Sequence, residues 1–217
     1  MFIIQFDNLH EQLMIDALNL YAQIHLFNLF SIVKVLKKEY PNKKIDVQNM
    51  EFFEKVQSFF VINKNKDALK EFSDHLLVLK KNINKSTDQI ILQKNDIGKL
   101  IRALDFYTRI TIGQLWETTN ILRMFFDHII NFQLKFIEEG IFKIAADTFE
   151  FPRYSSYGIY SQEVPNNSRI MYEIQQVLRH ELWKIGDKPS YTVDSSPVFH
   201  MSNYHLIKCL PYNQIPV

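Results

Sequence analysis

The distribution of proline constrains this chain most. Of its seven prolines only Pro41 precedes Pro152, and only five glycines are spread over the 217 residues. Proline removes a backbone donor and stops helices, and glycine weakens them. Long helices are therefore open to the chain up to about residue 150, and looped or extended structure is favoured after it. Apolar residues make up 47% of the sequence, which excludes a disordered chain and allows a sizeable core in one large or two small domains. The net charge of +1 gives no global electrostatic reason to expect nucleic acid. With Cys209 as the single cysteine, no intrachain disulfide can form, which fits a reducing compartment. The opening MFIIQFDNLHEQLM lacks a basic n-region and does not read as a signal peptide. The longest uncharged run, Ala17 to Val33, contains Asn19, Gln23, His25 and Asn28 and reads as a buried helix, not a membrane span.

Helical periodicity covers most of the first half. From Leu9 to Glu39 the apolar residues Leu13, Ala17, Leu20, Ile24, Phe27 and Ile32 mark one face, and Leu18, Leu26, Leu29 and Phe30 widen it. The pattern predicts one long helix, stopped by Pro41. A second helix is predicted over Val47 to Ile62, with Phe52, Phe53, Val56, Phe59 and Phe60 as a thick aromatic face, and a third over Asp67 to Asn82. NINKSTDQ, Asn82 to Gln89, is the best linker, and Ile90 to Leu92 suits a short strand.

The stretch Asn95 to Glu117, NDIGKLIRALDFYTRITIGQLWE, carries the clearest helix signal. Ile97, Leu100, Ile101, Leu104, Tyr107 and Ile110 form its buried stripe, while Arg102, Asp105 and Arg109 share another face at i, i+3 and i+7. Gly113 is predicted to end or kink the helix, with Gln114 in the break. Helical pattern resumes from Leu115 to about Glu139, including Phe125, Phe126 and Ile129, and Gly140 is expected to interrupt it. FPRYSSYGIYSQEVP, Phe151 to Pro165, reads as a tyrosine-rich loop. A last strong helix follows over Asn166 to Ile185. Met171, Ile174, Leu178, Leu182 and Ile185 make its core seam, and Arg169, Tyr172, Gln176, Arg179 and Trp183 make a second stripe. In the proline-rich tail, short strands are expected at Tyr191–Val193 and Val198–Met201.

Several chemistries lack their sequence signatures. There is no phosphate-binding glycine loop, no GxSxG elbow and no HExxH. His200, His205 and Cys209 lie close in sequence, but zinc needs a further ligand and a helix that this tail is ill suited to form, so no metal and no cofactor is assigned. His180 could serve as a general base, with Glu173 or Glu181 beside it, although a lone helical histidine is more often structural. No catalytic residue is assigned. The positive signal is in the arginines: lysine outnumbers arginine 19 to 6, and all six arginines fall between Arg102 and Arg179. Where lysine is the default cation, arginine marks places where its planar fork matters. Arg102, Asp105, Arg109, Gln114, Arg169, Tyr172, Gln176, Arg179 and Trp183 together suit a flat, phosphate-bearing ligand: arginines for phosphate, Tyr and Trp for the ring, Gln for a base edge. The same set equally suits intrahelical ion pairs or a subunit interface, and the two helices need not face each other.

The segment RALDFYTRITIGQLWE, Arg102 to Glu117, resembles a pattern of small phage and prophage proteins, roughly ALDxYxRIxxGQ followed by an acidic residue. The later counterparts are YGIYSQEVP at Tyr157 to Pro165 and RIMYEIQQVLRHELW at Arg169 to Trp183. The resemblance covers about a third of the chain, all of it after residue 100, and its motifs are not signatures of a known reaction. It implies an accessory protein acting in the bacterial cytoplasm of a phage-infected cell. Such proteins often counter host defence, some by sequestering nucleotide signals.

The sequence thus predicts a mainly α-helical protein with a partly extended, proline-rich C-terminal tail and at most minor β structure. A single compact domain is expected, with an N-terminal helical part, residues 1–86, and a motif-bearing part, residues 87–217. The expected function is non-catalytic binding of a phosphate-bearing small ligand such as a signalling nucleotide. The alternative is inhibition of a host protein by direct surface contact. Self-association is expected, because several helices are apolar on more than one side. A membrane span is not.

Overall fold

The computed structural model describes residues 1–43, 45, 50–86, 88–124, 131–152, 154–186, 196 and 198–212. Among them are eight helices and three short strands, in the order β1 (Phe2–Gln5), α1 (Asn8–His25), α2 (Phe30–Glu39), α3 (Met50–Ile62), α4 (Lys66–Ile83), β2 (Gln89–Leu92), α5 (Lys94–Thr111), α6 (Trp116–Arg123), α7 (Asn131–Phe149), α8 (Asn166–Ile185) and β3 (Lys208–Pro211). The fold is mainly α, as expected from the helical periodicity and the distribution of proline. No helix among the described residues is long and apolar enough to cross a membrane.

The chain forms two compact units. Unit one gathers Met1–Asn19, Leu77–Thr108 and Asn166–Val217, and unit two gathers Leu20–Leu76 and Arg109–Pro165. Unit one holds the sheet, in the order β2-β1-β3. Both neighbours run antiparallel to β1, with Ile4 opposite Ile90 and Cys209, and Phe2 opposite Leu92 and Pro211. Successive strand residues point to opposite faces. Phe2, Ile4, Leu92 and Cys209 are accordingly buried, while Ile91 and Leu210 are exposed on the other face. Pro211 closes β3, an edge strand, where a missing donor breaks no ladder on the open side. The unit-one core is completed by Leu13, Met14, Ala17 and Leu18 of α1, Leu100, Leu104 and Tyr107 of α5, and Met171, Ile174 and Leu178 of α8.

Unit two is helical. Ile24, Leu29, Ile32 and Leu36 are buried with Val56, Leu122, Ile137 and Ile141. A full burial of such a side chain stabilises by roughly 1.5–3 kcal/mol before entropy is counted. Three details differ from the sequence expectation. The predicted 9–39 helix is two helices, because Phe27 adopts a left-handed conformation at φ 58 and is fully buried. The Asn28 N–H then reaches the Gln23 carbonyl at 3.0 Å and the Phe27 N–H reaches that of Ile24 at 2.9 Å, which closes the helix end. Second, α7 runs straight through Gly140, where an added Cβ would lie 2.1 Å from the Phe52 ring. Gly140 admits a neighbouring ring instead of breaking the helix. Third, residues 198–201 are not a strand, whereas Phe2–Gln5 and Lys208–Pro211 are. The expected strand at Tyr191–Val193 and the packing of Phe125, Phe126 and Ile129 lie outside the described residues.

Candidate functional site

The arginine-bearing groups of the sequence fall into both units. In unit two, Gly113 (φ 95) ends α5, and the Gln114 N–H closes the turn on the Arg109 carbonyl at 2.8 Å. The Arg109 guanidinium donates to Gln114 Oε1 and to Glu117 Oε1, each at 3.0 Å, and Gln114 donates onward to Ser156 at 3.3 Å. Arg109 and Gln114 therefore tie the end of α5 to the start of α6. In unit one, α5 and α8 do meet: Gln175 Nε2 donates to Asp105 Oδ1 at 3.0 Å. The residue that makes this bond is Gln175, and its stripe neighbour Gln176 is also buried. Arg102 is exposed on α5, while Arg169, Tyr172, Arg179 and Trp183 are half-buried on α8. The Trp183 ring stacks on His180, with centroids 6.0 Å apart and planes 14° from parallel.

A different cluster in unit one concentrates unused chemistry. Asp7 caps α1: its Oδ1 accepts the His10 N–H at 3.0 Å while its carbonyl takes the Glu11 N–H at 2.9 Å. That cap sets His10 one turn into the helix, with a side chain only 1% exposed. The other half of the cluster arrives from the far end of the chain. Glu173 of α8, 1% exposed, accepts the Ser202 N–H at 2.5 Å and the Ser202 hydroxyl at 2.6 Å, and also the Met201 N–H. A buried carboxylate needs such donors. The turn held on Glu173 carries Tyr204 and His205 to Asp7. Tyr204 donates its hydroxyl to Asp7 Oδ2, and His205 Nε2 stands 3.0 Å from the same oxygen.

The result is a carboxylate between two imidazoles. Asp7 Oδ1 is 3.0 Å from His10 Nδ1, and His10 Nε2 is 3.0 Å from the His205 carbonyl oxygen. The two rings meet edge-on, with centroids 5.0 Å apart. These side chains line a cleft of about 400 Å³ shared with Gln5, Asp88 and Lys208. Burial pushes His10 below its ordinary value, against the opposing pull of Asp7. Burial alone would raise Asp7, but the His10 N–H, the Tyr204 hydroxyl and the two imidazoles together hold its carboxyl below the usual range. The bond to Asp7 raises Tyr204.

In the sequence His205 lies close to His200 and Cys209. Cys209 instead sits in β3 facing the core, where burial pushes its thiol up to about 12. Asp7 and His10 carry no sequence signature of a site, because their only local signal, an Asp opening a helix, reads as an ordinary N-cap. The partner that gives them meaning is 195 residues away. Glu173 and His180, weighed as an acid–base pair, are otherwise engaged: Glu173 holds the 201–202 turn and His180 lies against Trp183. Comparison with protein-family models, with curated proteins and with solved structures finds no match to this chain.

Proposed function

We propose that the protein is a binding protein for a small phosphate-bearing ligand and that it takes this ligand in the unit-one cleft. The observation that carries the reading is the convergence of His10, His205 and Lys208 on one open space of about 400 Å³. Ligand sites are concave, with a few convergent polar groups. Lys208 and His205 are exposed at the cleft and can meet a phosphate as charge and donor. By contrast, Asp105 and Arg109 are already engaged within their own units. Phage origin, sequestration of a host nucleotide signal and action in bacterial cytoplasm belong to the same proposal. They rest on the resemblance of Arg102 to Glu117.

The test is equilibrium binding of inorganic pyrophosphate to the full chain and to variants. Lys208→Ala and His205→Ala are each expected to weaken binding about tenfold or more, the size of one lost charged contact of about 1.5 kcal/mol or more. Arg179→Ala is expected to bind as the unmodified chain does. The opposite pattern, with Arg179→Ala inactive and Lys208→Ala unaffected, would move the ligand to the α8 stripe and overturn the cleft.

A second reading, contact with another protein or a second copy of this chain, is favoured by the outer face of the sheet. Ile91 (51% exposed) and Leu210 (44% exposed) flank Ile3 in register, with Met1 and Tyr212 also exposed. Sheets that face water usually alternate to polar residues there. Ile91→Lys and Leu210→Lys should abolish any self-association seen by native mass and leave pyrophosphate binding intact. Self-association that survives both substitutions would remove the sheet face from consideration.

A further inference from the structure

The cleft poses an electrostatic problem for an anionic ligand. Asp7 and Asp88 line it, with Lys208 as its single lysine. A phosphate would meet excess negative charge. The His10 ring poses a second problem. Its two nitrogens face two acceptors, the His205 carbonyl at 3.0 Å and Asp7 Oδ1 at 3.0 Å. A neutral imidazole carries a single N–H. With Nε2–H donating to the carbonyl, Nδ1 points its lone pair at a carboxylate oxygen 3.0 Å away, and Nδ1 has no well-aligned hydrogen bond. Two lone pairs 3.0 Å apart, one on a His10 side chain only 1% exposed, repel each other, and a cation beside them relieves that repulsion.

We propose that Asp7, His10 and His205 form a three-ligand site for a divalent first-row transition metal ion, with His10 coordinating through Nδ1, His205 through Nε2 and Asp7 through a carboxylate oxygen. The inference rests on the cleft being the ligand site. One ligating atom from each of the three residues lies within 4.8 Å of the others. Ligands at about 2.0–2.2 Å around a tetrahedral ion sit roughly 3.3–3.6 Å from one another, so modest side-chain adjustment closes the shell. The bond from His10 Nε2 to a backbone carbonyl is the outer contact that metal-bound histidines commonly make, and it frees Nδ1 as the ligand atom. Two imidazoles select a transition metal over magnesium or calcium. Three protein ligands leave a position open toward the cleft, where a phosphate oxygen completes the shell. The ion's two charges offset Asp7 and Asp88.

The experiment titrates the full chain with cobalt(II), read by its visible absorption, followed by displacement with zinc. One equivalent per chain is expected. His205→Ala, at a 65% exposed side chain, removes a ligand without touching the core and should weaken metal binding more than tenfold. His10→Gln should do the same, with far-UV circular dichroism reporting the fold. His75→Ala, an exposed histidine of unit two, should bind as the unmodified chain does. Absence of saturable metal binding, or His205→Ala binding as tightly as the unmodified chain, would overturn the metal site. Repeating pyrophosphate binding with and without zinc separates the two proposals. Metal uptake with no pyrophosphate binding retires the phosphate reading alone. Pyrophosphate binding without any metal uptake retires the metal alone. Pyrophosphate binding that appears only with zinc supports both.

Discussion

Two helix ends in this protein use the same hydrogen bonds and different residues. At Gly113 the left-handed turn costs little, because glycine has no Cβ to clash. At Phe27 the same geometry is held by a bulky residue, at a cost of about 1–2 kcal/mol for an L side chain. The ring's complete burial offsets that cost. Gly113→Ala should therefore lose about 1–2 kcal/mol in urea unfolding, through strain and through a Cβ 3.2 Å from the Phe151 ring. Gly140 makes a sharper case. Its replacement by Ala gains about 1 kcal/mol of helix propensity but drives a Cβ into the Phe52 ring at 2.1 Å. Overpacking at about 1–3 kcal/mol outweighs the gain. Gly140→Ala should be less stable than the unmodified chain, and Gly140→Ala with Phe52→Leu should recover part of the loss. The residue scale also shows why the 9–39 break could not be read. No glycine or proline marks Phe27, and its apolar character fits the helical stripe on either side.

At the scale of elements, α8 does two jobs with adjacent faces. Its apolar seam builds the unit-one core, and Glu173 on the same helix pins the 201–202 turn. Removing the carboxylate leaves the Met201 and Ser202 N–H groups without their acceptor and the Ser202 hydroxyl with only the Tyr204 carbonyl at 3.3 Å. Glu173→Ala should cost about 3 kcal/mol, and it should weaken cobalt binding at His205 by tenfold or more, because the supporting contact is lost. Loss of stability with undiminished metal affinity would show that Tyr204 and His205 are positioned by other contacts. Periodicity made the helices legible, since α3, α4, α5 and α8 each keep a clean apolar face. It gave no access to β1 and β3, four residues each, whose pairing joins the two ends of the chain. Short apolar runs carry no period of their own. The cluster at Asp7 was hidden for the same reason: α1's cap is local, while His205 is brought to it by β3 and the Glu173 turn.

For the molecule as a whole, pH is the most direct probe of buried titratable groups. Burial holds His25 below its ordinary value of 6.5, with its Nδ1–H donating to the Tyr21 carbonyl at 2.8 Å and its ring against Tyr21 and Phe72. The unfolded chain therefore takes up a proton at higher pH than the folded one, so stability falls as pH drops through about 6.5. Urea unfolding at pH 7 and pH 5 should show this loss, and His25→Phe should reduce the slope. An unchanged slope would assign it to other histidines. The fold class of the whole was legible in the distribution of seven prolines and the helical stripes. The candidate site was not, because it depends on a carboxylate, two imidazoles and a lysine drawn from positions 7, 10, 205 and 208.

The central claim is that the unit-one cleft holds a small phosphate-bearing ligand. Mass spectrometry of small molecules released by heat from the purified full-length chain tests it most directly, run beside His205→Ala combined with Lys208→Ala. The account predicts a phosphate-bearing compound at near one equivalent from the unmodified chain and little from the double variant. The same compound released in equal amount from both would contradict it.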